Sequence, residues 1–417
     1  MRILILTQYF PPEVGAPQIR LSAFARELKR LGHEVEVVTG LPNHPTGRIF
    51  PEYRGKFYVR EEWEGITVHR VWLYPSTGAG LKRMLNYLSF TLTSLWGLLK
   101  AQRPDYIFVE SPPLFLSLPA WVSSRLWRVP FIFNVADLWP DSVKELGLMS
   151  NRFLLGIAEW LEAWSYKRAA YVTAVTEGIQ DVLINEKHVP PAKVLFLPNG
   201  VDISIFQSTK TINANIPPSL KDALYGGNAI VYAGTIGFAQ CLDVAIKAAE
   251  QLLQAGYEAL KFIFVGDGSA KKALSELVTR KGLKNIVFAE PVPYEDIAAV
   301  YASSFAGLAT LCNKPIFEGA RPSKLLTIMA SGKPIIYSGS GEGARLVEEA
   351  KAGLVVPPED PGALAEAVKK LAENPKLAEE LGRNGRRYVE EHLSWDVLVR
   401  DWLEQLESRQ VQGGSTF

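Results

Sequence analysis

Short apolar runs, each closed by a turn and followed by apolar residues at helical spacing, recur along this chain in two successive rounds. That rhythm restricts the fold more than any other feature of the sequence. The run Ile3–Tyr9 leads into the turn PPEVGAP, after which Leu21, Phe24, Ala25, Leu28 and Leu31 mark one face of a helix stopped by Gly32. Glu34–Thr39 follows as a strand, and Tyr106–Glu110, Phe131–Val135 and Tyr171–Val175 are apolar throughout, as strands covered on both faces should be. Asn199-Gly200 and the polar stretch Ser208–Ser219 interrupt the rhythm. It restarts with Ile230–Ala233 and GTIG, a helix over Leu242–Leu253, Phe262–Val265 and GDG, then Ile286–Ala289, Gly307–Thr310 and Pro334–Tyr337. The expected class is α/β: two facing Rossmann-like doubly wound domains, 1–200 and 201–392, with a ligand cleft at the carboxyl ends of the strands. A last helix, 393–410, holds Trp395, Leu398, Val399, Trp402 and Leu406 on one side and is expected to join the first domain, leaving 411–417 as a disordered tail.

Composition narrows the chemistry. The chain has 417 residues and a net charge of +1, so no basic field argues for nucleic acid. Its 10 Trp and 15 Tyr suit a surface that meets sugars, lipid or another protein. Cys241 and Cys312 read as reduced thiols of a cytoplasmic protein, since a core of this size needs no bridge, and MRILIL opens directly as a strand without the pattern of a signal peptide. The five histidines are scattered, and H-E-x-x-H, C-x-x-C, G-x-S-x-G and a phosphate loop are all missing from the sequence. D-x-D is missing too, which weakens any case for a metal held by paired aspartates on a phosphate substrate; no cofactor is expected.

QYFPPEVGAPQIR, GHEVEVVTG, LPNGVD, YAGTIGFAQCLD, FVGDG and PSKLL…MASGKP occur in that order over nearly the whole chain. Together they resemble a family 4 retaining glycosyltransferase of the GT-B fold. PSKL and DLWPDS resemble the bacterial branch that adds N-acetylfucosamine or similar sugars to surface polysaccharides. The resemblance implies a nucleotide sugar, usually of uridine, held by the C-terminal domain. It also implies a glycan acceptor, polyprenyl-diphosphate-linked, held by the N-terminal one. Transfer would proceed with retention and without a metal, in the cytoplasm or peripherally on the inner face of the cell membrane. Two rivals stay open: a nucleotide-sugar epimerase on the same fold, and a catalytically silent nucleotide-sugar-binding protein.

The motifs then acquire chemistry. In PPEVGAP, Gly15 allows close backbone approach, and the helix N-terminus beyond it offers unpaired N–H groups to a leaving diphosphate, with Gly15 and Ala16 expected to touch the donor. RPSKLLTIMASGKPII is a helix entered near Ser323 and ended at Gly332, with Arg321 and Lys324 beside its first turn, where basic residues oppose the helix dipole unless an anion offsets them. Many relatives carry Arg and Lys in the loop after the first strand of the second domain; here GTIGFAQC places Thr235, Gly237 and Gln240 there, uncharged. Lys324, Arg321 or Arg20 is therefore expected to supply the charge that a departing nucleoside diphosphate requires. Relatives usually have a glutamate for the ribose at Thr327, so either ribose is held more weakly, Glu318 or Glu342 takes part, or Thr327 faces the core. Gly266 and Gly268 of FVGDG would wall the nucleotide, Val292 would lie by the base, and Leu325 belongs to the same donor-binding helix turn. Asp137, after a buried strand, would orient or deprotonate the acceptor, or else cap the next helix.

The stretch MLNYLSFTLTSLWGLL, 84–99, carries no charge and is bracketed by Lys82, Arg83, Lys100 and Arg103. It falls short of the ~20 residues of a span. Either segment 81–103 lies in a membrane surface, or the helix packs inside the first domain. A second aromatic helix, with Phe153, Ile157, Trp160 and Trp164, is core or part of the same surface.

Overall fold

The computed structural model describes residues 1–13, 15–76, 80–141, 144, 151–206 and 216–412. The chain divides into two compact units, Met1–Asn199 with Trp395–Phe417, and Gly200–Ser394. The polar stretch at 207–215 and the tail at 413–417 lie outside the described residues, and the last helix, Trp395–Gln412, runs past 410.

The first unit is an eight-stranded sheet: β1 (Arg2–Leu6), β2 (Glu34–Gly40), β3 (Tyr58–Trp63), β4 (Ile66–Val71), β5 (Tyr106–Ser111), β6 (Phe131–Val135), β7 (Tyr171–Ala174) and β8 (Val194–Phe196). Its order is β3-β4-β2-β1-β5-β6-β7-β8. Every pairing is parallel except β3 with β4, which form an antiparallel edge. The second sheet comprises β9 (Ala229–Ala233), β10 (Lys261–Val265), β11 (Ile286–Ala289), β12 (Ala306–Thr310), β13 (Ile335–Ser338) and β14 (Gly353–Val356), all parallel, in the order β11-β10-β9-β12-β13-β14. The strand order changes direction at β1/β5 and at β9/β12, the kind of switch point beside which an α/β sheet takes a ligand at its carboxyl ends.

The cores follow from the apolar runs. β9 and β12 are buried along their whole length, as strands with helices on both faces must be. In the first unit, Trp402 of the last helix is fully buried, its ring 5.3 Å from that of Phe24 and 5.8 Å from that of Phe108.

The helix Leu81–Lys100 is turned against its own hydrophobicity. Its inward face is Asn86, Phe90, Thr91, Ser94, Gly97 and Leu98, while Leu81, Leu85, Leu88, Leu92, Trp96 and Leu99 face out. Polar anchors fix this rotation: Gln8 Nε2 donates to Asn86 Oδ1 at 2.6 Å, Asn86 Nδ2 to the Tyr74 carbonyl at 2.7 Å, and Thr93 Oγ1 to the Trp72 carbonyl at 2.6 Å. Gly97 sits so close to the sheet that a Cβ would stand 2.7 Å from Val38 Cγ1. Packing inside the domain therefore describes only one face of this helix. The helix Arg152–Arg168 likewise exposes Phe153, Leu154, Ile157 and Trp160, while Trp164 packs on Trp121 with ring centroids 5.5 Å apart.

One sequence expectation is overturned here. Cys241 and Cys312 are not reduced thiols but form a disulfide, with Cα atoms 5.2 Å apart. The connections after the adjacent strands β9 and β12 converge, and residues 71 apart in sequence become neighbours.

Candidate active site

In the second unit the loops that follow β9 and β10 are zipped together. Gly234 N–H donates to the Val265 carbonyl at 2.9 Å, Ile236 N–H to the Asp267 carbonyl at 2.8 Å, and Ala270 N–H to the Ile236 carbonyl at 3.0 Å. This contact demands the glycines of FVGDG. A Cβ on Gly266 (φ 150) would lie 1.9 Å from the Gly234 oxygen, and one on Gly268 (φ 155) 2.4 Å from the Ile236 oxygen. Their first duty is thus to shape the GTIG loop, which leaves Gly234 and Thr235 exposed.

The helix Ser323–Ala330 has Pro322 at its N-cap, no side-chain cap and no acid in its first turn, so its leading N–H groups are open to an anion. Lys324 leans from that turn toward β9. Its Nζ lies 4.7 Å from the centroid of the Tyr232 ring, and its Cε would be 3.4 Å from a Cβ on Gly234. A cation from the helix Ser323–Ala330 thereby reaches the loop that has none of its own. Desolvation pulls its ammonium down to about 8. Arg321 Nε stands 3.9 Å from Glu342 Oε1, both side chains nearly covered. Glu318 is exposed, its carboxylate accepting from Ser340 Oγ at 2.8 Å and its carbonyl from Glu342 N–H at 2.7 Å.

In the first unit the helix Ala16–Arg30 also starts without a side-chain cap or an acid, with Gly15 extended and Ala16 exposed. Glu13, buried in the preceding turn, accepts from the N–H groups of Asn43 and His44, each at 2.8 Å; burial pushes its carboxyl up to about 7. Arg20 is paired with buried Glu110, which also accepts from Asn134 Nδ2 at 2.8 Å. Arg83 stacks on Tyr87, 4.6 Å from the ring centroid, and near Tyr9 at 5.9 Å. Asp137 is exposed two residues past β6, its carbonyl accepting from Trp139 N–H at 2.9 Å.

Two helix starts without a side-chain cap, one beside a desolvated lysine, stand at the sheet switch points, and comparison supplies the family. Residues 15–200 match the family described as glycosyl transferase 4-like domain, and residues 223–388 that described as glycosyl transferases group 1. The chain belongs to the GT-B glycosyltransferases. This glycosyltransferase is 26% identical over 415 residues to WcaI of Escherichia coli K12, a glycosyl transferase assigned to colanic acid biosynthesis, covering 97% of this chain and 100% of the relative. Anabaena HepE, solved with UDP and glucose, superposes with a TM-score of 0.69 at 17% identity, covering 97% of this chain and 99% of that one. Sucrose-phosphate synthase of Thermosynechococcus elongatus gives 0.73 at 16%, covering 99% and 100%.

Of the residues singled out in the second unit of this glycosyltransferase, Lys324, Thr235, Gly237, Gly266, Gly268, Arg321, Ser323 and Glu318 all stand on the carboxyl side of the sheet, as does half-buried Val292 after β11. Three others are already occupied. Leu325 is core, wholly buried, and its N–H donates to the Pro322 carbonyl at 3.0 Å, so it has neither side chain nor amide to offer a donor. Gln240 turns Oε1 back onto Gly237 N–H at 3.0 Å and braces its own loop. Thr327 Oγ1 donates to the Lys324 carbonyl at 2.9 Å, and its side chain faces the buried Tyr301 hydroxyl. Arg20 is no spare cation either, since Glu110 balances it. Sequence reasoning passed over Glu13, Glu110 and Tyr232. Glu13 had a signal, an acid inside a turn expected to receive an anion; Glu110 and Tyr232 read as ordinary strand positions.

Proposed function

We propose that this glycosyltransferase moves a sugar from a uridine diphosphate donor, held by the second unit, to a polyprenyl-diphosphate-linked glycan, held by the first. The transfer retains anomeric configuration, needs no metal and belongs to surface-polysaccharide assembly, with an N-acetylfucosamine-type sugar as the donor's cargo. One observation carries the reading: the Lys324 amine stands beside Gly234, on a loop without its own cation. Protonated Lys324 and the uncapped N–H groups at Ser323 offset the charge that develops on the departing diphosphate, with Arg321 beside them. Asp137 orients the acceptor hydroxyl, and the leaving phosphate takes its proton. HepE holding UDP and glucose supports the choice of base, and WcaI's assignment to colanic acid supports a polysaccharide product.

The acceptor lipid gives the exposed leucine face of Leu81–Lys100 a purpose. No described helix is long and apolar enough to cross a membrane, yet Leu81 is 79% exposed and Leu92 71%, with Lys82, Lys100 and Arg103 alongside. That arrangement suits docking on the cytoplasmic face of the membrane. Thermal-shift screening against nucleoside diphosphates and their sugars, then transfer assays with the best donor, tests the proposal. Stabilisation by a uridine diphosphate sugar and product with retained configuration are expected. Absence of any shift with nucleoside diphosphates would overturn the donor assignment.

A further inference from the structure

The amino ends of the first sheet's strands border a groove of about 1340 Å³, at the opposite edge of that sheet from Glu13, Gly15 and Asp137. Arg103, Arg128, Arg168, Lys193 and Arg409 line it, against a single lining carboxylate, Asp105. Asp105 is itself engaged, accepting the Arg2 N–H at 2.7 Å. None of the five cations forms an ion pair among the described residues. Lys193 Nζ donates only to carbonyls, of Tyr166 at 3.4 Å and Lys167 at 3.3 Å, and the Arg168 guanidinium lies 6.0 Å from the Trp121 ring centroid.

Parallel topology accounts for part of this. Strands that run one way put the carboxyl ends of their crossover helices at this edge, and a cation there complements each helix dipole. Helices ending at Lys100, Trp127 and Arg168 could each use one. The dipole does not ask that the cations share one concavity. Nor does it explain Lys193, which comes from the short turn Pro191–Lys193. Five like charges around one hollow repel one another unless an anion enters. The hollow also exceeds the ~300–1,000 Å³ of common small-ligand pockets, and so is too large for a lone orthophosphate.

We propose that this groove binds a ligand bearing two or more phosphate groups, at a site separate from the donor's. Two sources share that chemistry: a soluble oligophosphate, or phospholipid headgroups, since the exposed face of Leu81–Lys100 ends at Leu99 and Lys100, just before Arg103.

The test uses the full chain and inorganic tripolyphosphate, by calorimetry. Lys324→Ala marks the donor site, and the pair Arg128→Gln with Arg168→Gln marks the groove; both arginines are exposed, so the double variant should fold. Wild type should show a binding event that survives Lys324→Ala, weakens at least tenfold in the double variant, and fades as salt rises. Relief of repulsion should also raise the double variant's Tm. Vesicles of phosphatidylglycerol, with phosphatidylcholine as control, form the second arm. Loss of phosphatidylglycerol pelleting in the double variant, without tripolyphosphate binding in wild type, supports the groove and names headgroups as its source. Equal binding of both probes by wild type and double variant would overturn the proposal, as would failure of wild type to bind either. Neither outcome bears on donor binding, which Lys324→Ala reports alone.

Discussion

Lys324 is where residue-level chemistry is most exposed to test. Its desolvated amine ionises near 8 against 10.5 for a free lysine, because loss of water disfavours the charged form. Between those values the unfolded chain binds more protons than the folded one, so this residue's cost to stability is fully present below pH 8 and is relieved as pH rises through the window. Binding runs the other way, because a diphosphate needs the ammonium. Affinity for uridine diphosphate should hold below pH 8 and fall above it; Lys324→Arg should flatten the fall, and an unchanged slope by calorimetry would remove Lys324 from the phosphate site. Lys324→Ala should lower kcat by a factor on the order of 10²–10³, the usual loss when one preorganised donor is removed. Thr327 presents the complementary case. Its hydroxyl bonds its own helix, and a carboxylate there could instead take ribose hydroxyls, worth roughly 1.5–3 kcal/mol. Thr327→Glu should therefore tighten nucleoside diphosphate binding; unaltered affinity would mean the ribose lies elsewhere.

At the scale of an element, the helix Leu81–Lys100 separates stability from surface function along one axis. Phe90 is fully buried, so Phe90→Ala should cost about 3–5 kcal/mol in denaturant unfolding. Leu85→Glu with Leu92→Glu lies on the exposed face and should change stability by ~0.5 kcal/mol or less per site, while abolishing co-sedimentation with anionic vesicles. Retained pelleting would exclude this face as the contact. The orientation could not be read from spacing, since counting leucines finds an apolar stripe but not whether the core or the solvent owns it. Asn86, Ser94 and Gly97 decided it, through bonds and a close approach to strands far away in sequence. The antiparallel pair β3 and β4 escaped notice for a related reason: YVREEW is an edge strand whose charges hide its alternation.

For the whole molecule, the bridge closing the 71-residue separation between Cys241 and Cys312 ties together the connections after β9 and β12. Cys241→Ser should lower the unfolding free energy by ~2–4 kcal/mol in non-reducing buffer, chiefly by freeing the unfolded chain. The difference should vanish once the wild type is reduced; equal stability in both buffers would show that the bridge contributes nothing. Two doubly wound sheets were legible from the residues alone, and Phe131–Val135 and Ile286–Ala289 even kept their boundaries, because a strand covered on both faces must be apolar throughout. The helix start near Ser323 was legible too, being written in consecutive residues, though not its missing cap. Tertiary structure alone decided which charges are spent and which are left over. Arg20 meets Glu110 across 90 positions, whereas Lys324 comes to rest on Tyr232 and reaches the cationless loop. Periodicity records how each segment meets a core, but pairing at a distance depends on which loops the sheet order brings side by side, and no local pattern of residues encodes that order.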